Sequence, residues 1–166
     1  FINNKSRKLV DYLLSKMENS IDVVIPRGGK NLVKKVKQLS KVPVIGHLEG
    51  ICHTYIDKEA EDNMANKIVL NAKLRNTSIC GATETLLIHK SKSKSVNLIL
   101  NSLAERGCKI LADKKISKLF KGKTYPANNN TWSKEHLSPI ISVKLVNDVK
   151  EAVAHINNME LCIQMQ

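Results

Sequence analysis

The sequence predicts an α/β domain with a largely parallel sheet flanked by helices. Three observations carry that prediction. Short runs rich in β-branched residues alternate with apolar stripes at helical spacing along the chain. Residues 21–45 read as strand, glycine turn, helix, strand, which is one βαβ unit. With 166 residues and 42% apolar content, the chain is long enough for a real core.

The elements follow in order. Leu9, Val10, Leu13, Leu14 and Met17 form a helical stripe over 7–18. Ile21 to Ile25 reads as a buried strand, broken by Pro26-Arg27-Gly28-Gly29-Lys30. Leu32, Val33, Val36 and Leu39 make the next helical face, and Val42 to Ile45 a second buried strand. Ile51 to Ile56 is a third strand, and Ala65, Ile68, Val69 and Ala72 stripe the helix that ends near Lys73. A polar loop then delivers Cys80, and Glu84 to Ile88 is apolar enough for a buried strand. Lys90 to Ser95 reads as a solvated loop. Val96, Ile99, Leu100 and Leu103 mark a helix that stops at Gly107, where the missing Cβ permits a left-handed turn. Residues 108–112 read as a strand, 116–120 as a short helix and 121–134 as a long surface loop. Ile140 to Val146 is the last strand, and Val149, Ala152, Val153 and Ile156 stripe the last helix.

Composition narrows the function classes. No run approaches the roughly 18 apolar residues that span a bilayer, so no membrane role is expected. The first eight residues hold no apolar signal region, and reduced thiols in the cytoplasm are the default. The four cysteines, at 52, 80, 108 and 162, form no C-x-x-C pair, and no cluster has zinc-ligand spacing, so no metal is expected. The net charge is +12. Its lysines are spread along the chain and its few aromatics do not interleave with them, which argues against a nucleic-acid platform and for anionic small molecules. A non-catalytic basic α/β interaction module is the alternative reading of the same charge.

The stretch that carries chemistry is Asn71 to Ile88, NAKLRNTSICGATETLLI. It sets Cys80 between a helix and a strand, with small Gly81 and Ala82 beside it and Lys73 and Arg75 upstream. A nucleophile could be placed so, and so could a structural cysteine. At the glycine turn, free backbone N–H groups favour a phosphate, and Arg27 would add a charge-assisted donor; a plain tight turn fits equally.

Four segments together are more specific. Residues 71–88, Asp22 to Lys30 (DVVIPRGGK), Val42 to His53 (VPVIGHLEGICH) and Glu151 to Asn157 (EAVAHIN) resemble gamma-glutamyl phosphate reductase, a branch of the aldehyde dehydrogenase superfamily, in the same order. The resemblance runs from about Lys8 to Asn158. It implies the catalytic domain of that fold plus the end of its cofactor domain. Residues 1–46 would be a remnant of the dinucleotide-binding domain, 47–159 the catalytic thiol domain and 160–166 a divergent tail. It implies NADPH-dependent reduction of L-glutamyl 5-phosphate to glutamate 5-semialdehyde, a step of proline biosynthesis, through a thioester on Cys80.

The resemblance assigns further roles. Arg27, Gly28 and Gly29 would lie near the dinucleotide phosphates. His47 stands where aldehyde-oxidising members carry a glutamate that activates water, which fits a branch that passes the acyl group to and from phosphate. Glu49, two positions on, would point to the other face of an extended stretch. Lys134 to Pro139 (KEHLSP) resembles the superfamily segment whose glutamate holds the nicotinamide ribose hydroxyls, which makes Glu135 that residue. Family members also have a long N-terminal portion that these 166 residues lack. The expectation is therefore a truncated, weak or inactive reductase. It would be either completed by a second chain carrying the missing half or the product of a decaying gene.

Overall fold

In the computed structural model, residues 2–3, 6–46 and 50–164 are described. The chain divides into two compact units, Phe1–Glu49 and Gly50–Gln166.

In the first unit, α1 (Arg7–Lys16) and α2 (Lys30–Leu39) form where the stripes predict. Leu14, Val33 and Val36 are the residues these helices bury. Lys35 of α2 and Asp11 of α1 lie 2.6 Å apart, but both side chains are 43% exposed, so the pair adds little. The two expected buried strands reduce to one parallel bridge, Val24 to Val44. Val24 N–H donates to the Pro43 carbonyl, and Ile45 N–H donates to the Val24 carbonyl. Val23, Ile25 and Ile45 are exposed rather than buried. The physical reason is that two short segments that, among the described residues, pair only with each other cannot cover either face.

The second unit is built on a five-stranded parallel sheet. Its strands are β1 (Cys52–Ile56), β2 (Thr83–His89), β3 (Lys109–Ala112), β4 (Tyr125–Pro126) and β5 (Ile140–Val146), in the order β1-β2-β5-β3-β4. β2 is buried at every position, as befits an inner strand of a parallel sheet. Strand alternation splits its side chains. Leu86 and Ile88 join the main core with Val69 of α3 (Asp62–Leu74), Ile99, Leu100 and Leu103 of α4 (Val96–Glu105) and Ile116 of α5 (Lys114–Leu119). Leu87 points the other way, into a smaller cluster with Val146 and with Ala152 of α7 (Val149–Gln164).

Local chemistry sets the element ends. The Glu61 carboxylate caps α3 by accepting from the N–H groups of Asn63 and Met64. Gly107, at φ 78°, ends α4 in the conformation that glycine tolerates best. Asp113 caps α5 through Ile116 N–H at 2.7 Å and also accepts Leu145 N–H from β5 at 3.2 Å.

Two loop expectations change. Lys90 to Ser95 is a 3-10 helix with Ser95 buried. Its Lys/Ser alternation has no apolar period to reveal it, but the His89 ring accepts Ser91 N–H and starts the turn. The long loop over 121–134 contains β4 and a short helix, α6 (Asn129–Trp132), opened by a capping box between Asn128 and Thr131. Among the described residues, no helix is long and apolar enough to cross a membrane.

Candidate active site

Ligands in open α/β sheets usually gather beyond the carboxyl ends of the strands. Here the chemistry-bearing residues gather at the amino ends. Gly50 and Ile51 lead into β1, Cys80 to Ala82 lead into β2, and Glu135 to Pro139 lead into β5. Because β2 lies between β1 and β5, these three lead-ins are neighbours.

Cys80 sits in the turn between α3 and β2 and is exposed. Asn76 accepts Ser78 N–H through its side chain, and Ala82 N–H donates to the Ile79 carbonyl, so the turn closes around the cysteine. A Cβ on Gly81 would meet nothing within 4 Å, which leaves one side of the turn open. A Cβ on Gly50 would lie 3.9 Å from the Cys80 Cβ, so the chain entering β1 passes directly beside it. Cys80 is therefore not a buried core cysteine.

Cys52, the first residue of β1, donates its S–H to the Cys80 carbonyl oxygen at 3.1 Å. Burial raises the Cys52 thiol above its ordinary pKa, and the negative charges of Cys80, Glu135 and Glu84 push it further the same way. Cys52 thus stays a protonated donor beside Cys80. Next along the ladder, the Thr54 and Thr83 hydroxyls bond at 2.7 Å.

Beneath the turn lies a buried ion pair. Lys73 Nζ meets Glu84 Oε2 at 2.9 Å, with side chains 0% and 1% exposed. The other Glu84 oxygen accepts Leu137 N–H at 3.1 Å. Leu137 has φ 49°, a left-handed backbone that L-residues adopt at a cost of about 1–2 kcal/mol. Glu84 therefore ties the two ends of the Cys80 segment to the lead-in of β5. On that lead-in, Glu135 is only 6% exposed. It is a buried carboxylate that Cys52 feels, not a solvated loop residue. His136 Nε2 bonds the Ser142 hydroxyl at 3.1 Å, and burial, helped by the Lys73 and Lys134 charges, lowers its pKa to about 4. Cys108 is a different kind of thiol: it is buried, and desolvation pushes it up to about 11.

The residues singled out from the sequence separate into three groups. Cys80 and Glu135 lie at the same end of the sheet. His47, with Leu48 and Glu49, lies outside the described residues. Arg27, Gly28 and Gly29 are exposed in the first unit, before α2. There Gly28 has φ 148°, and Gly29, the residue before α2, accepts the Leu32 N–H through its carbonyl at 2.9 Å. Cys52, Glu84 and Leu137 lie inside the quoted segments, but nothing in the sequence singles them out there. Lys73 reads from the sequence as an upstream cation; in the fold its charge is neutralised by Glu84. The available signal was its spacing, four residues after Val69 and on the buried stripe of α3.

A concavity of about 310 Å³ lies elsewhere, lined by Trp132, Lys144, Glu151, His155 and Asn158 among others. Lys144 Nζ bonds the His155 ring at 3.2 Å, and Trp132 meets that ring edge-on at 5.3 Å. None of the residues around Cys80 lines it.

Gamma-glutamyl phosphate reductase of Bartonella quintana is 45% identical over 155 residues, which is 93% of this chain and 37% of that protein. The Brucella suis enzyme of the same name is 46% identical over 152 residues, 91% of this chain and 36% of that protein. The crystal structure of gamma-glutamyl phosphate reductase from Thermotoga maritima matches with a TM-score of 0.87 at 32% identity, over 96% of this chain and 38% of that one. A betaine aldehyde dehydrogenase from Staphylococcus aureus, in complex with NAD+, shares the fold at a TM-score of 0.66 and 14% identity, over 89% of this chain and 39% of that one. No family model matches the chain. The chain spans a little over a third of the length of the curated relatives it matches.

Proposed function

Because this chain is a homologue of gamma-glutamyl phosphate reductase over a little more than a third of that enzyme's length, we propose that it carries the acyl-transfer thiol of an NADPH-dependent reductase of L-glutamyl 5-phosphate. The observation that supports this best is an exposed Cys80, presented at a helix–strand turn in the segment the relatives share.

The chemistry suits a thiol. The Cys80 thiolate attacks the acyl carbon, inorganic phosphate leaves and a thioester forms. NADPH, when bound, supplies the hydride that reduces the thioester to the aldehyde. The cysteine is then released as the free thiol. Lys73, neutralised by Glu84, keeps the floor of the site neutral, while the Glu84–Leu137 bond holds the Glu135 segment beside Cys52.

The residues present fit the cofactor in kind. The start of α2, after a glycine turn and with Arg27 before it, is the kind of helix N-terminus that suits a phosphate. By the resemblance, Glu135 is the carboxylate that would meet the ribose hydroxyls. His47, in the place of a water-activating glutamate, spares the thioester from hydrolysis. We place residues 1–46 with the end of a dinucleotide-binding domain, 47–159 with the thiol domain and 160–166 as a divergent tail. A working thiol of this kind belongs in a reducing compartment such as the cytoplasm.

Two assays test the proposal. Under native conditions, iodoacetamide should label Cys80 well before the buried Cys108. Equal labelling rates would overturn the role of Cys80. Expressed as these 166 residues alone, the polypeptide should reduce the acyl phosphate, or oxidise the semialdehyde with phosphate, far more slowly than an ordinary enzyme rate of about 10 s⁻¹. A second polypeptide supplying the rest of the relatives' length should raise that rate, and a Cys80→Ser variant should abolish it. Steep, salt-sensitive binding to arbitrary DNA without any labelling preference would instead favour a basic interaction module.

A further inference from the structure

Cys52 has no part in the acyl chemistry, yet its sulfur lies 3.1 Å from the carbonyl oxygen of the very residue that carries it. We propose that Cys52 is the resolving thiol of Cys80: an oxidised Cys80 is captured by Cys52 as an intramolecular disulfide. The inference rests on reading Cys80 as a reactive thiol, but not on the reductase reaction.

Three structural features support it. First, the two residues are local neighbours at the amino end of adjacent strands. Cys52 pairs with Thr83, three residues after Cys80, and a Cβ on Gly50 would already touch Cys80. A disulfide needs Cβ atoms about 3.5–4.5 Å apart, and with the Cys52 sulfur 3.1 Å from the Cys80 backbone oxygen, a shift of the Cys80 turn is what would join the two sulfurs. Second, the shift has somewhere to occur. Cys80 lies in an exposed turn with open space at Gly81, and the β1–β2 register is irregular between Cys52 and His53. Third, the two thiols are chemically unequal. Cys80 is exposed, whereas Cys52 is half-buried, where burial first, and then the acidic groups around it, disfavour a thiolate.

The oxidant is a hydroperoxide. The Cys80 thiolate attacks its outer oxygen, the O–O bond breaks, and the sulfur loses two electrons to give a sulfenic acid and an alkoxide or hydroxide. The Cys52 sulfur then attacks the Cys80 sulfur. The S–O bond breaks, the leaving hydroxide takes the Cys52 proton as water, and the disulfide forms. A dithiol reductant returns both thiols. The benefit is reversibility: an unresolved sulfenic acid goes on to sulfinic acid, which is not recovered by thiols.

The test treats the 166-residue chain with stoichiometric hydrogen peroxide, blocks free thiols and maps peptides without reduction. The expected product is a peptide pair joined through Cys52 and Cys80, which dithiothreitol reverses with full return of Cys80 labelling. In Cys52→Ser, dimedone should trap sulfenic acid on Cys80 severalfold more than in the wild type. Cys80 joined to Cys108 or Cys162 as often as to Cys52, or equal dimedone trapping in the two proteins, would overturn the inference. The wild-type map does not depend on the variant's folding, so it stands as a second measurement. Selective alkylation of Cys80 without any cross-link would sink the inference and leave the nucleophile reading intact. A cross-link in a chain that shows no acyl transfer would do the reverse.

Discussion

Replacing Glu84 with glutamine isolates the charge of the buried pair under Cys80. Glutamine keeps the shape of the side chain and a carbonyl oxygen for Leu137 N–H, so the 3.1 Å tie to the β5 lead-in can survive. What it removes is the partner of Lys73, whose ammonium lies 2.9 Å away on a side chain with no solvent exposure. Breaking a buried pair from one side costs about 3–5 kcal/mol, because the remaining charge is left without compensation. Native domains hold only roughly 5–15 kcal/mol in total. At roughly 2–4 °C per kcal/mol for a chain of this size, the melting temperature should fall by about 6–20 °C. Urea denaturation and thermal melts followed by circular dichroism measure both quantities. Replacing the pair together, Lys73→Met with Glu84→Gln, should recover most of the loss, since no charge is then buried. A loss below about 1 kcal/mol for Glu84→Gln would refute the reasoning, because it is the value of a water-screened surface pair.

Two further outcomes follow from the same packing. His136 and His155 both have pKa values lowered to about 4, chiefly by burial; Lys73 and Lys134 add to the lowering for the first, and Lys144 and His53, opposed by Glu151, for the second. The unfolded chain takes up these protons near the ordinary histidine value of about 6.5, so stability present above that pH should be lost as pH falls from there towards 4. His136→Gln should flatten that slope in denaturation measured at several pH values; an unchanged slope would contradict the burial. Separately, Gly107→Ala should destabilise by about 1–2 kcal/mol, because φ 78° there forces a Cβ into the left-handed region, although nothing else lies within 4 Å. Urea midpoints would show it, and no change would mean the turn relaxes.

Periodicity and punctuation in the chain determined most of the fold. Val96 to Leu103 announces its helix, Gly107 its stop, and Ile140 to Val146 its strand, because each is a local pattern whose burial requires only one face or one run. Around Cys80 the spacing alone leaves a nucleophile and a structural cysteine open; the resemblance of residues 71–88 to a known family is what points to the thiol. Spatial partners are not legible in that way. Cys52 and Cys80 are 28 positions apart, Glu84 and Leu137 are 53 apart, and only the parallel register of β1, β2 and β5 brings their lead-ins together. Lys73 shows the limit most clearly: a lysine reads as solvent-facing by default, and only a carboxylate arriving from another strand makes its burial tolerable. The strand pair of the first unit errs in the opposite sense, since Ile25 and Ile45 read as core but have no neighbouring face to bury against among the described residues. Local sequence sets what each segment can become; which side chains meet depends on the order of strands in the sheet, and that is a property of the whole packed chain.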